Sequence, residues 1–436
     1  MRTLRDVFKL QSFRKNQLEA ITAFMAGHDA FILMPTGGGK SLCFQLPAVC
    51  KNQANNSVTV VVGPLLALMQ DQVTALEAKG LDIVSFSKDN TNQESNVIHA
   101  RLNHHSKKPC MLYVTPEKLE HSNKLKNDLR KLHQLGQLGG IVIDEAHCIS
   151  TWGRSFRDSY TKLDWMREEF PGVPFMALTA TANKQAVEDI ITKLGIPGCK
   201  RFTMSFNRKN LFYEVRAKKN DNVTTSEIMN FIQEKYPNGS GIVYLNNKAK
   251  CDKTAELFRK HGFRAASYHA DMTRETKLML QNKWQSGEIQ VIIATIAFGM
   301  GIDKPDVRFV IHFGLPNSLS EYYQETGRAG RDGKPSHCRL YFAWRDADWK
   351  IKCARDEAKD EADKEDAIEN VLRVFGYCQN TVDCRRVQVL SYFDENFDKA
   401  DCSANCDNCQ DTSEVTYEDL TISTYKLLEL ALCQGE

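Results

Sequence analysis

The chain has 436 residues, 42% hydrophobic and 26% charged, with 57 Lys and Arg against 55 Asp and Glu, a formal net charge of +2. That length suits two or three domains with substantial cores, and no apolar run approaches the roughly eighteen residues of a membrane span. The first seventeen residues are polar and lack the pattern of a secretory signal, so an intracellular setting is expected, with the 14 cysteines as thiols or metal ligands rather than disulfides.

From about residue 29 to 206, short β-type runs at 29–34, 57–63, 110–114, 140–144 and 174–179 alternate with longer helical patterns. This predicts a parallel sheet with crossover helices. A second set follows Arg208, at 241–245, 264–268, 290–294, 308–312 and 338–342, so a second α/β half of similar size is expected. After Trp344 the β-type runs stop and a charged helical segment begins. A cysteine-rich stretch then runs from Cys378 to Cys409, and residues 411–436 read as a linker and the first amphipathic helix of a further unit.

Met34-Pro35-Thr36-Gly37-Gly38-Gly39-Lys40-Ser41 stands between a strand-like run and a helical one. Glycines let successive backbone N–H groups curl round a phosphate chain at the positive end of the next helix. In such a loop Thr36, Gly37, Gly38 and Gly39 form the cradle, Lys40 reaches the β- and γ-phosphates, and Ser41 holds magnesium. An NTPase also needs a metal-binding acid at the end of a buried strand. Gly140-Ile141-Val142-Ile143-Asp144-Glu145-Ala146-His147 meets that demand, with Asp144 for the magnesium shell and Glu145 to polarise the attacking water.

Five more stretches complete the pattern in the first half: Phe13-Arg14-Lys15-Asn16-Gln17, the run from Gly63-Pro64 to Gln70-Asp71-Gln72, Val114-Thr115-Pro116-Glu117, Thr151-Trp152-Gly153-Arg154-Ser155-Phe156-Arg157 and Leu178-Thr179-Ala180-Thr181-Ala182. In the second half stand Asn246-Asn247-Lys248, Tyr268-His269-Ala270-Asp271, the run from Ala294-Thr295 to Asp303-Lys304, and Gln324-Glu325-Thr326-Gly327-Arg328-Ala329-Gly330-Arg331. Arginines three apart on a helix share a face. Across a cleft Arg328 and Arg331 would therefore both address the γ-phosphate, with Arg331 as the arginine finger. Cys402, Cys406 and Cys409, with Cys384 or Cys378 upstream, have spacing suited to a closed tetrahedral zinc site.

Over residues 4–410 these motifs resemble the superfamily 2 helicases and, within them, the RecQ DNA helicases, most of all the eukaryotic Bloom/Sgs1-like branch. The resemblance implies two RecA-like P-loop lobes (1–206 and 207–343), then a helical zinc-binding subdomain (344–410), then a linker and the start of a winged-helix domain (411–436). It implies that Arg14 and Gln17 address adenine with Leu10 packed on it, and that His147, Gln324 and Asp303 join the ATP site. Pro64, Gln70, Thr115, Lys248 and Thr295 would touch DNA, as would Trp152, Phe156 and Arg157 of an aromatic-rich loop that reports DNA to the hydrolysis site. The RecQ pattern selects Cys384 over Cys378 as the fourth zinc ligand.

The implied activity is ATP-dependent 3′–5′ unwinding of forked or duplex DNA by translocation on a single strand, in repair, recombination or replication, in the nucleus, with ATP, magnesium and zinc as cofactors. A DNA-stimulated translocase that separates duplex weakly, an RNA helicase of the same superfamily and an inactive nucleic-acid scaffold are the alternatives. The sequence departs from the family at Arg154-Ser155 (usually His-Asp), at Asp158-Ser159 (usually Pro-Asp), at Leu245 and Lys248 (usually Cys and Arg) and at Asp271 (usually Gly). The charge is split along the chain: residues 344–436 hold 11 Lys and Arg against 22 Asp and Glu, a balance of −11, which leaves 46 against 33, or +13, on residues 1–343. A basic motor suits a phosphate-tracking groove, and the acidic part would face away from the strand or meet protein partners.

Overall fold

The structure is a computed structural model that describes residues 2–64, 66–149, 158–299, 304–358, 360–414, 416 and 418–433. The first sheet has seven strands, β1 (Ala30–Leu33), β2 (Val58–Val62), β3 (Ile83–Phe86), β4 (Met111–Val114), β5 (Leu138–Ile143), β6 (Phe175–Thr179) and β7 (Lys200–Thr203). They lie in the order β3-β4-β2-β5-β6-β1-β7, every pair parallel. Runs such as Val58-Thr59-Val60-Val61-Val62 are buried throughout, because helices cover both faces of a parallel sheet and β-branched side chains fit its pleat. One face packs in a core with Phe86, Leu129 and Phe175, and the other in a core with Phe24, Phe44 and Tyr113.

The second sheet holds β8 (Leu211–Ala217), β9 (Ser240–Tyr244), β10 (Ala265–Tyr268), β11 (Val291–Ala294), β12 (Val307–Phe313) and β13 (Ser336–Phe342), in the order β10-β11-β9-β12-β13-β8 and again parallel. All ten anticipated strands are present. β3, β7 and β8 were not anticipated.

Strand order explains why distant motifs meet. β1, β6 and β5 are neighbours, so the glycine loop, the Leu178–Ala182 turn and Asp144 emerge side by side at the carboxyl edge, where parallel sheets present their ligand sites. Strand spacing puts the glycine loop and Asp144 about 10 Å apart.

The third part packs helices Trp344–Glu357, Glu361–Gln379 and Arg385–Tyr392 against the second sheet and the connection between the sheets. Arg386 donates to Asn207 Oδ1 at 2.7 Å and to the Arg208 carbonyl at 2.9 Å. Phe393 stacks on Phe206 with centroids 4.4 Å apart, Glu395 accepts from the Phe206 N–H at 2.6 Å, and Asp394 accepts from the Lys184 N–H at 2.8 Å. Among the described residues no helix is long and apolar enough to cross a membrane.

Candidate functional site

Gly37 and Gly39 have φ of 81° and 89°, a left-handed backbone that turns the loop into the helix Lys40–Asn55. A Cβ at Gly39 would collide with the Gln17 amide. Lys40 donates to the Met34 carbonyl at 3.0 Å from inside the loop. Burial lowers its ammonium pKa, against the raising effect of the nearby Glu145 and Asp144. Asp144, itself buried, accepts from Gln72 Nε2 at 3.3 Å, and Gln72 is held in turn by Tyr113 Oη at 3.0 Å. Burial, and then Glu145 beside it, push Asp144 up to about 6. Burial also raises Glu145. Two carboxylates facing one ammonium at the cleft form a donor set that a divalent cation would complete.

Glu145 has φ of 50°, unusual for a residue with a side chain, and its buried Oε2 makes no hydrogen bond among the described residues. His147 Nδ1 lies 3.3 Å from that oxygen and 2.9 Å from Thr179 Oγ1, so it ties the acid motif to the last residue of β6.

These groups line a cleft of about 530 Å³ between the lobes, together with Leu10, Arg14, Gln17, Thr36 and Ser41 from the first lobe and Gln324, Arg328 and Arg331 from the second. Arg14 donates to the Gly37 carbonyl and Gln17 Nε2 to the Gly39 carbonyl, the latter at 3.0 Å. Gln17 therefore braces the phosphate loop directly. Gly38 completes that loop, where a Cβ would press on the Pro35 carbonyl.

One expectation needs correction. Arg328 and Arg331 do not share a helix face, because the helix Leu319–Thr326 stops before them. Gly327 caps it, and Gly330, with φ of 55°, carries the chain round a turn. The two arginines consequently diverge. Arg328 donates to the Gly299 carbonyl, while the Arg331 side chain lies against the glycine loop, 3.7 Å from where a Gly37 Cβ would sit.

The turn is held by Arg208, which sequence reasoning used only as a boundary. Its guanidinium donates to the carbonyls of Thr36 (3.3 Å), Gly327 (3.1 Å), Ala329 (2.9 Å) and Gly330 (3.0 Å), spanning both lobes. Gln281 Nε2 makes a second link across the cleft, to Asp71 Oδ2 at 3.0 Å.

The expected DNA contacts are distributed over the carboxyl edges. Gln70 is exposed. Thr115 caps the helix Pro116–His121, and Pro64 sits at the end of β2. Thr295 follows β11 and is half-buried. Lys248 pairs with Asp271 at 2.6 Å, so the two departures from the family pattern meet each other. Ser159, another departure, donates to Glu117 Oε1 at 2.8 Å. Trp152, Phe156, Arg157 and Asp303 lie outside the described residues.

Cys384, Cys402, Cys406 and Cys409 bring their sulfurs within 4.8 Å of one another, with Cys402–Cys406 at 3.8 Å and Cys406–Cys384 at 3.9 Å. A tetrahedron with metal–sulfur bonds of roughly 2.3 Å has edges of about 3.8 Å, so the four thiols fit zinc. Three are buried and Cys409 is half-buried, and burial pushes its thiol up to about 12. Cys378 is buried outside the cluster, leaving Cys384 as the fourth member. Arg385 braces the site through Asp407 at 2.9 Å.

Comparison with known proteins agrees with this architecture. Residues 14–190 match the DEAD/DEAH box helicase model, 223–333 the helicase conserved C-terminal domain and 344–410 the RecQ zinc-binding model. The ATP-dependent helicase SGS1 of Saccharomyces cerevisiae is 45% identical over 435 residues, covering 98% of this chain and 29% of that protein. The ATP-dependent DNA helicase Q1 of Rattus norvegicus is 38% identical over 428 residues, covering 98% of this chain and 67% of that protein. The chain belongs to the RecQ helicase family.

Higher identity to the yeast than to the rat helicase agrees with the Bloom/Sgs1-like branch. This RecQ chain spans about a third of the length of the first curated relatives it matches. Mycobacterium smegmatis helicase Lhr, solved bound to ssDNA and AMP-PNP, shares its fold at a TM-score of 0.61 and 18% identity, over 88% of this chain and 52% of that one.

Proposed function

We propose that the chain is the motor of an ATP-dependent 3′–5′ DNA helicase, with lobes at 1–206 and 207–343 and a zinc-binding subdomain at 344–410. What carries the reading is the cleft in which Lys40, Asp144 and Glu145 of one lobe face Gln324, Arg328 and Arg331 of the other. ATP with magnesium, when bound, supplies the phosphoryl bond that is hydrolysed. Leu10 and Arg14 would hold the adenine end while Gln17, with both amide ends bound by the protein, braces the loop beside it; the N–H groups of the glycine loop and the Lys40 ammonium would hold the phosphates, and Ser41 and Asp144 the metal.

Glu145 takes the proton of the attacking water. His147 fixes that carboxylate against Thr179. Arg331 offsets the charge that develops on the γ-phosphate, and Gln324 and Arg328 stand beside it on the second-lobe wall of the cleft. Closing and reopening move the strand held by Pro64, Gln70, Thr115, Lys248 and Thr295, together with Trp152, Phe156 and Arg157, while Asp303 joins nucleotide and strand. The names of two relatives favour DNA over RNA, and membership of the RecQ family supports a nuclear setting in repair and recombination. The acidic residues after 344 suit basic protein partners.

The test is ATP turnover with and without single-stranded DNA, run beside unwinding of a 3′-tailed duplex. Lys40→Ala should abolish both, and Arg331→Ala should slow turnover by about 10³-fold. Unchanged turnover in Lys40→Ala would overturn the assignment.

A further inference from the structure

The carboxyl edge of the second sheet extends beyond the strand contacts proposed above. In the order β10-β11-β9-β12-β13-β8, Thr295 follows β11 and Lys248 follows β9. Past β9, at the ends of β12, β13 and β8, lies a cavity of about 600 Å³ walled by Lys218, Lys250, Lys253, Phe313, Arg345 and Trp349.

Two of its cations are engaged, Lys218 with Asp346 at 2.7 Å and Lys250 with Asp221 at 2.6 Å. Both of these ammonium groups also sit 5.3 Å from the Phe313 ring centre. Lys253 and Arg345 are exposed and form no ion pair among the described residues. Beside them Trp349 is 47% exposed, and Lys350 Nζ lies 5.5 Å from its ring centre. Unpaired cations next to an open aromatic face are what a single strand needs, since phosphates seek charge and bases stack on rings whatever their sequence.

We propose that this cavity is a second contact for single-stranded DNA, with Lys253 and Arg345 on phosphates and Trp349 under a base. It lengthens the track from Thr295 and Lys248 across β12, β13 and β8, about 14 Å of sheet edge at the usual strand spacing. The inference rests on the reading of the chain as a DNA motor, and it adds residues that the motif pattern does not contain.

The experiment is fluorescence anisotropy of the whole chain with oligothymidylates of increasing length over a range of salt. Lys253→Gln with Arg345→Gln should flatten the slope of log affinity on log salt by about 1.4, at about 0.7 per lost phosphate contact. Trp349→Ala should weaken long oligomers roughly tenfold and leave those too short to pass Lys248 nearly unchanged, and Trp349→Phe should restore most of the loss. All three side chains are exposed, and melting temperature and zinc content check that each variant is folded. Slopes and affinities equal to those of the unaltered chain would overturn the cavity's role while leaving the motor reading intact. A loss seen only with blunt duplex would overturn the assignment to a single strand. An unaltered chain that binds no oligothymidylate would sink both readings.

Discussion

Arg208→Ala removes one guanidinium from four backbone carbonyls, three in the turn that carries Arg331 and one in the glycine loop, at 2.9–3.3 Å. A hydrogen bond from a charged donor contributes about 1.5–3 kcal/mol, and four bonds sharing one donor do not add. The turn from Gly327 to Gly330 is buried, so water replaces the lost donor poorly. A loss of about 3 kcal/mol in holding the turn follows. At 1.36 kcal/mol per decade this lowers the population of the aligned site roughly 150-fold. Steady-state ATP turnover on single-stranded DNA should then fall by about two orders of magnitude. The KM for ATP should move less than about threefold, because only one of the four lost bonds reaches the first lobe, at the Thr36 carbonyl, and Arg14 and Gln17 still brace the glycine loop there. Arg208→Lys should recover only part of the rate, since one ammonium cannot span four acceptors held for a planar fork. Turnover of Arg208→Ala within twofold of the unaltered chain, with melting unchanged, would refute the claim that this side chain positions Arg331.

Cys406→Ser should eliminate bound zinc, measured per chain by mass spectrometry, and add a low-temperature melting step, because the sulfurs are placed to share one ion. Asp271→Gly removes the exposed partner of Lys248. Single-stranded DNA should then bind about threefold tighter at low salt, with the gain fading as salt is raised. Burial, and then Lys235, hold the His337 imidazole down at about 4, beside Tyr236 Oη. The folded state thus binds fewer protons than the unfolded one, so this group's stability is intact above pH 6.5 and is lost as the pH falls towards 4. The loss is about 2 kcal/mol after allowance for partial exposure, and His337→Gln should flatten the acid limb of a denaturation series.

What could be read from the sequence was chemistry whose residues must be contiguous. The glycine loop and the acid motif announce themselves because a phosphate cradle and a strand-end carboxylate need fixed neighbours. Arg208 escaped because its four acceptors lie 119 to 172 residues away, and nothing local marks a guanidinium that binds carbonyls. Gln17 has both its ends turned to the protein for the same kind of reason. β7 was missed because Lys-Arg-Phe-Thr is a largely exposed edge strand with no apolar run. β8 was missed because Glu214 is buried in it and accepts from Arg339 at 2.6 Å, which breaks the apolar signal. The arginines were put on one helix because the periodicity was carried through Gly327 and Gly330, and those glycines end it.

Phe393, Asp394, Glu395 and Arg386 contact Lys184 and residues between Ser205 and Leu211, beside or within the short connection between the two sheets, and Phe393 also meets Tyr323. Any swing of one lobe against the other must bend that connection. The zinc-bearing part is therefore the bearing of the hinge as well as a passenger of the second lobe, and Arg208 leaves the same connection to reach the nucleotide cleft. An oxidant that joined two of the four thiols should loosen this anchorage of the connection while both sheets stay intact.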